Sequence, residues 1–330
     1  MSTIREIAEA SGVSIGTVSR ILTGKAERHS EATCALVHRV AEQLGYRRNA
    51  FASGVRSGTF GGIGLLRSSN PVHSKIPEGF RNRLDKLLQE RNLLFLSAQM
   101  DEESLSMRET LPKILRDWTV DGILFFYTHG HWGRLENYLE RQKIPAVWVN
   151  NKLPRNSVYP DDLAGGEMAA EYLIERGHRK IACYSHAYND HYSEVDRRKG
   201  FIEAARKSGC VALDCTAKKD HPKSDWMKHA TETLQNLKGA TALFCYGPTE
   251  VSCLYLAATL LGIRVPKDIE LIAIHPDPVD VNGISVPTLQ MPFDGIIADT
   301  ALDELQKQIA GEGGFKSKAI KPVWVTGERR

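Results

Sequence analysis

From residue 61 onward the chain alternates short apolar runs with longer amphipathic stretches, and this alternation restricts its fold more than any other feature. The strand-like runs are Ile63–Leu66, Leu93–Ser97, Gly122–Phe126 and Ala146–Asn150, then Ile181–Tyr184, Ala242–Tyr246 and Glu270–Ile274. Helical periodicity fills the intervals at Glu78–Glu90, Ser104–Trp118, Gly133–Arg141, Gly165–Arg176, Arg197–Lys207, Trp226–Leu237, Thr249–Leu261 and Phe293–Ala310. A chain written this way forms parallel sheets covered by helices. About 270 residues suffice for two such subdomains. Two doubly wound sheets facing one another leave a cleft at the carboxyl ends of their strands, where open α/β sheets bind ligands.

The first sixty residues are different in kind. They hold eight Lys/Arg (Arg5, Arg20, Lys25, Arg28, Arg39, Arg47, Arg48, Arg56) and five acids (Glu6, Glu9, Glu27, Glu31, Glu42). The whole net charge of +3 therefore sits there, and the rest is balanced. A small basic head on a neutral body directs the head alone toward a polyanion.

Three short helices are written into this head. Thr3 with Glu6 three residues later makes a capping box, and Ile4, Ile7, Ala8 and Ala10 follow. Gly12 ends the first helix, since glycine reaches positive φ at little cost. Ser14 caps a second helix over Ile15–Leu22, whose buried stripe is Val18, Ile21 and Leu22. Ser30 caps a third, expected to bury Ala35, Leu36, Val40, Ala41 and Leu44 before Gly45. Two helices across a tight glycine turn are a helix-turn-helix, whose second helix enters the major groove. Ser14, Ile15, Gly16, Thr17, Ser19 and Arg20 then face DNA, with Thr3 beside them. Arg20 can fork onto guanine or phosphate, and Thr17 and Ser19 can donate to phosphates. An ordinary three-helix bundle with solvated charges is the bland competitor.

The segments "TIREIAEASGVSIGTVSRILTGK" and "HSEATCALVHRVAEQLGY" closely resemble the N-terminus of the LacI/GalR family of bacterial transcription regulators. "DDLAGGEMAAEYLIERGHRKIA", "RRKGF", "GIRVPKDIELIAI" and Met291-Pro292 extend the resemblance through the body. It implies a helix-turn-helix domain at 1–46, a hinge at 47–60, and a periplasmic-binding-protein-like effector and dimerisation domain at 61–330. Subdomain one would span about 61–160 plus 290–320, and subdomain two about 161–289 plus 321–330. It also implies a homodimer reading a pseudo-palindromic operator in double-stranded DNA, under a small carbohydrate-related effector.

In such proteins the hinge lies in the minor groove. This chain keeps Asn49 and Ala52 but has Arg48 where Pro is usual and Val55 where Leu is usual. Val is the shorter wedge, and Gly54 before it costs a helix about 1 kcal/mol. A weaker hinge and a less sharply kinked operator are expected, with Arg47, Arg48 and Arg56 compensating on phosphates.

For the effector cleft the resemblance points to Ser69, Asn70, His73, Tyr127, Thr128, Asn150, Tyr188, Arg197, Tyr246, Gly247 and His275. Three positions where relatives tend to carry acids read Asn150, Gly247-Pro248 and His275-Pro276 here. With Arg197 and the histidines, such a cleft suggests an anionic effector, a sugar phosphate or sugar acid in place of a plain sugar. Loss of small-molecule control is the other reading.

Nothing in the sequence calls for a cofactor or a metal. His129 and His131 lack a third ligand at sensible spacing, "GTFGGIG" precedes its strand, and the six cysteines show no zinc or redox spacing. No nucleophile–base motif stands out, which argues against an enzyme on this fold. No apolar leader or membrane-length run is present, so a cytoplasmic protein is expected and an exported sugar-binding protein is disfavoured.

Overall fold

The computed structural model describes residues 2–47, 54, 58–70, 75–100, 111–126, 132–187, 191–218 and 222–325. The chain divides into two compact units, Met1–Phe60 and Gly61–Arg330.

The first unit holds α1 (Ile4–Ser11), α2 (Ile15–Leu22) and α3 (Glu31–Gln43). Its core is Ile7, Ala8, Val18, Ile21, Val37, Val40 and Ala41. One expectation fails here: α3 buries Val37 with Val40 and Ala41, whereas Ala35, Leu36 and Leu44 are exposed. Val37, Val40 and Ala41 share one face at i, i+3 and i+4. Ala35 and Leu36 lie off that face, and Leu44 is already the cap where the helix ends.

Among its described residues, the second unit contains two six-stranded sheets. The first runs β13-β5-β4-β3-β1-β2, with β1 Gly62–Ser68, β2 Leu94–Met100, β3 Gly122–Phe126, β4 Ala146–Val149, β5 Ser157–Pro160 and β13 Lys318–Ile320. All its pairings are parallel. The second runs β14-β12-β9-β8-β6-β7, with β6 Lys180–Ser185, β7 Val211–Thr216, β8 Ala242–Cys245, β9 Glu270–His275, β12 Thr288–Gln290 and β14 Val323–Val325. Only β14 pairs antiparallel. A hairpin of β10 (Val279–Val281) and β11 (Ile284–Val286) turns through Asn282-Gly283, both at positive φ, the backbone a two-residue hairpin requires.

Between strands lie α4 (Glu78–Glu90), α5 (Lys113–Arg116), α6 (Trp132–Gln142), α7 (Asp162–Glu175), α8 (Tyr192–Lys207), α9 (Trp226–Gln235), α10 (Pro248–Leu260) and α11 (Ile296–Ile309). The chain leaves the first sheet after β5, returns to its side after β12 (α11 packs on α4 and β3–β5), and enters the second again between β13 and β14. Helices α7 and α8 pack closely because each carries a glycine at the crossing. A Cβ on Gly166 would stand 2.0 Å from the Arg197 carbonyl, and one on Gly200 2.1 Å from that of Leu163.

Several element bounds shift from their expected places. The helix expected at Ser104–Trp118 is seen only at Lys113–Arg116, because Pro112 caps it and Asp117 is extended; residues 101–110 lie outside the described set. Helix α7 begins at Asp162, before Gly165, since Asp161 accepts from the Ala164 amide. Helix α8 begins at Tyr192, before Arg197, capped by His191. Helix α11 starts only after Gly295. Asn150 lies past the end of β4, at φ +59°. The short strands β5, β7 and β10–β14 carry too little apolar periodicity to be read locally.

Candidate nucleic-acid interface and effector cleft

The head sets out its polar residues through its caps. Thr3 and Glu6 cap α1 reciprocally, the Thr3 amide donating to Glu6 Oε2 (2.8 Å) and the Glu6 amide to Thr3 Oγ1 (3.3 Å). Gly12 takes φ 68° and turns the chain, and Val13 returns to the core. Ser14 Oγ then accepts from the Thr17 amide at 3.1 Å and lies 2.9 Å from Thr17 Oγ1. With Val18 and Ile21 buried, α2 turns Ser14, Ile15, Gly16 and Arg20 outward, and Thr17 and Ser19 sit at the margin. Ile15 is 48 % exposed, an apolar side chain that the core does not claim. Hydroxyls, a guanidinium and one apolar group on a single short helix match the chemistry of base edges and phosphates. Arg5, Lys25, Arg28, Arg39 and Arg47 are also exposed. Asn49, Ala52, Val55 and Arg56 lie outside the described residues.

In the second unit, strand ends bring Arg197, Tyr246 and Gly247 together. Arg197 is only 5 % exposed. Its Nε donates to Asp162 Oδ1 at 2.7 Å, Nη1 to the Tyr246 carbonyl at 3.1 Å, and Nη2 faces Met291 Sδ at 3.0 Å. The guanidinium also lies 4.5 Å over the Tyr246 ring. Burial works against its charge, but the Asp162 carboxylate outweighs that and leaves Arg197 above its ordinary value. Asp162 opens α7 just after the chain leaves β5, and Met291 follows β12. Arg197 therefore ties two of the passages between sheets.

His275 ends β9, with Nδ1 beside the Asp277 carbonyl (3.1 Å) and amide (3.2 Å). Burial lowers its pKa, and Arg197 nearby adds to that. Neither Arg197 nor His275 stands as a free cation, so the expectation of an anionic effector gains nothing from either. Ser69 and Asn70 are exposed after β1, with the Asn70 amide donating to Ser68 Oγ at 3.0 Å. The Asn150 amide donates to the Val158 carbonyl at 3.0 Å. His73, Tyr127, Thr128 and Tyr188 lie outside the described residues.

Several groups here escape sequence reasoning. Glu250, in the first turn of α10, is fully buried and accepts from the His186 amide at 3.4 Å. Burial raises its carboxyl to about 7. Its other oxygen lies 3.5 Å from where a Cβ on Gly247 would stand. Glu194 accepts from Ser185 Oγ at 3.0 Å. The doublet Asp161-Asp162 at a helix start was the one available signal. Beside Arg197 lies a small open recess of about 20 Å³, lined by Ser185, Glu194, Arg198, Thr216 and Tyr246 among others. That is room for roughly one water.

Residues 3–49 match the family model described as "Bacterial regulatory proteins, lacI family", and residues 170–328 match "Periplasmic binding protein-like domain". The maltose regulon regulatory protein MalI of Escherichia coli (strain K12) is 30 % identical over 253 residues, 75 % of this chain and 69 % of that protein. Among solved structures, a Lac repressor bound to ONPG in the repressed state superposes with TM-score 0.78 at 19 % identity, covering 98 % of each chain. A Lac repressor dimer bound to operator and the anti-inducer ONPF gives 0.76 at 20 % identity, again over 98 % of each.

Proposed function

The chain belongs to the lacI family of bacterial regulatory proteins, and we propose that it represses transcription as a homodimer bound to a pseudo-palindromic operator in double-stranded DNA. The outward face of α2 carries this reading: Ser14, Ile15, Gly16, Thr17, Ser19 and Arg20 are held in one rigid turn-capped helix on a basic head. Arg20 reads a base or clamps a phosphate, Ile15 meets a thymine methyl, and the hydroxyls with Thr3 fix register on the backbone. Asn49, Ala52, Val55 and Arg56 act as the minor-groove hinge. Affinity comes mainly from phosphate neutralisation and falls steeply with salt.

Residues 1–46 are the reading head, 47–60 the hinge and 61–330 the control and dimerisation domain. The sheet assignments support subdomain limits near 160, 290 and 320. The edge strand β2 exposes Leu94, Phe95 and Leu96, and α10 exposes Leu256 and Leu260. Covering these apolar side chains with a second copy supports the dimer, and two-fold symmetry in the protein then demands it in the site. A small carbohydrate-related effector acts at the cleft around Arg197, Tyr246, Gly247, Asn150 and His275, with Ser69 and Asn70 after β1; the sequence resemblance adds His73, Tyr127, Thr128 and Tyr188 as candidates. Among the described residues no helix is long and apolar enough to cross a membrane, in keeping with work in the cytoplasm, where the DNA is.

Selection of bound duplexes from a random pool by the full-length protein tests this. Recovery of a two-fold symmetric site is expected. A protein that shows no preference over bulk competitor DNA, with or without a panel of neutral and phosphorylated sugars, would be no operator-binding regulator.

A further inference from the structure

Four groups form a continuous hydrogen-bonded line across the cleft. Tyr246 Oη lies 2.7 Å from Ser193 Oγ, Ser193 Oγ 2.6 Å from His191 Nδ1, and His191 Nε2 3.1 Å from the Asn150 carbonyl oxygen. The far end fixes the direction of every bond. A carbonyl only accepts, so His191 Nε2 carries the proton. Nδ1 is then an acceptor, as its second contact requires, since the Ser193 amide donates to it at 3.3 Å. Ser193 Oγ must donate to Nδ1, which leaves its oxygen to accept from the Tyr246 hydroxyl. Ser193 and His191 are both buried, and aligned bonds in such surroundings reinforce one another.

The line joins the two halves of the domain. Tyr246 follows β8, and His191 and Ser193 cap and open α8, all on the side of the second sheet. Asn150 follows β4 of the first sheet. Two further contacts run the same way: Lys152 Nζ to Asp196 Oδ2 at 2.5 Å, and the Tyr192 hydroxyl to the Pro160 carbonyl at 3.4 Å. The start of α8 is thus fastened to the opposite half three times. Only Lys152–Asp196 depends on a partly exposed ion pair, an interaction worth little alone.

We propose that His191 and Ser193 are positioning residues that tie the two halves of the domain together, by passing the Tyr246 hydroxyl on to the backbone of the facing subdomain. The inference rests on the reading of this cleft as the control site. It adds that the coupling between the halves is built into the chain, running from the Tyr246 hydroxyl to the Asn150 carbonyl.

Amide hydrogen exchange on the effector-free, full-length protein tests the relay. In Tyr246→Phe, which removes one oxygen, exchange in the loop 150–156 is expected to quicken about tenfold, the factor set by one net hydrogen bond. Exchange in β3 and β8 should not change. Ser193→Ala should do the same, Ser193→Thr should restore protection, and Tyr246→Phe with Ser193→Ala should be no faster than either alone. Loop exchange within twofold of the parent in Tyr246→Phe, or effects of the two substitutions that multiply, overturns the relay. Should Ser193→Ala unfold the protein, Tyr246→Phe alone decides. Operator selection in the same preparations separates the two ideas, since the relay can fail while symmetric-site binding persists.

Discussion

Arg197 and Asp162 form an ion pair, Nε to Oδ1 at 2.7 Å, with 5 % and 1 % of the two residues exposed. The pair links the middle of the domain's second half to the residue where the chain first enters it. Its value lies in geometry more than in energy, because desolvating two charges consumes most of their attraction.

Removing one partner should therefore cost far more than removing both. Asp162→Ala leaves a buried guanidinium uncompensated and is expected to destabilise the domain by about 3–5 kcal/mol. Asp162→Leu combined with Arg197→Met should recover most of that. Urea unfolding of the single and double variants checks it, and a double variant as unstable as the single would contradict the account.

The α7–α8 crossing tolerates no side chain at its two contact glycines. Gly166→Ala and Gly200→Ala place a Cβ about 2 Å from backbone oxygen, which no rotamer change relieves. Each should exceed the roughly 1–3 kcal/mol of ordinary overpacking. Gly133→Ala, on α6 with open space around it, should stabilise by about 0.4–1 kcal/mol. Thermal melts of the three variants should rank in that order.

Glu250 imposes a pH dependence. Its native carboxyl is raised by burial to about 7, from an ordinary 4.5. Between those values the native state keeps a proton the unfolded chain has lost, so this contribution is complete below about pH 4.5 and disappears as pH rises through 7. The loss amounts to roughly 3 kcal/mol at most. Glu250→Gln should match the parent near pH 4.5 and exceed it above pH 8. Denaturant midpoints across that range measure it, and parallel curves would show that Glu250 does not titrate this way.

In the head, Ser14 has one clear structural duty, capping α2 through the Thr17 amide. Ser14→Ala should cost about 1 kcal/mol of head stability and weaken operator binding in proportion. Arg20→Ala should leave stability alone. If Arg20 forks onto a guanine, the change costs about 1–3 kcal/mol of binding and relaxes preference at that base pair. If it holds a phosphate, affinity falls alike on every sequence. Titrations on the selected site and its single-base variants distinguish the two.

The head was almost entirely legible in the sequence because its signals are local. Thr3, Gly12, Ser14 and Ser30 each act on amides or dihedrals within three residues, and each cap stands where its side chain requires. Burial was misjudged for α3 and for Leu22, which is only half-buried, since a helix of mixed hydrophobicity leaves its buried face to be chosen by its neighbours. The body's main strands and helices were legible for a related reason, as burial on both faces writes long apolar runs. Strands β5, β7 and β10–β14 were not, because they carry too little apolar periodicity and several pair far along the chain. β13 finds β5 some 160 residues earlier.

Residue types and periodicity determined that this chain has a capped three-helix head and a strand–helix body, since helix caps, glycine turns and apolar repeats act over a few residues. Tertiary structure alone decided what Arg197 does. Asp162, Tyr246 and Met291 are separated from it by 35, 49 and 94 residues, and only the packing of α8 against α7 and the second sheet brings them within bonding distance. A side chain that reads locally as a waiting cation is neutralised in place, because electrostatic energy depends on distance through space and not along the chain.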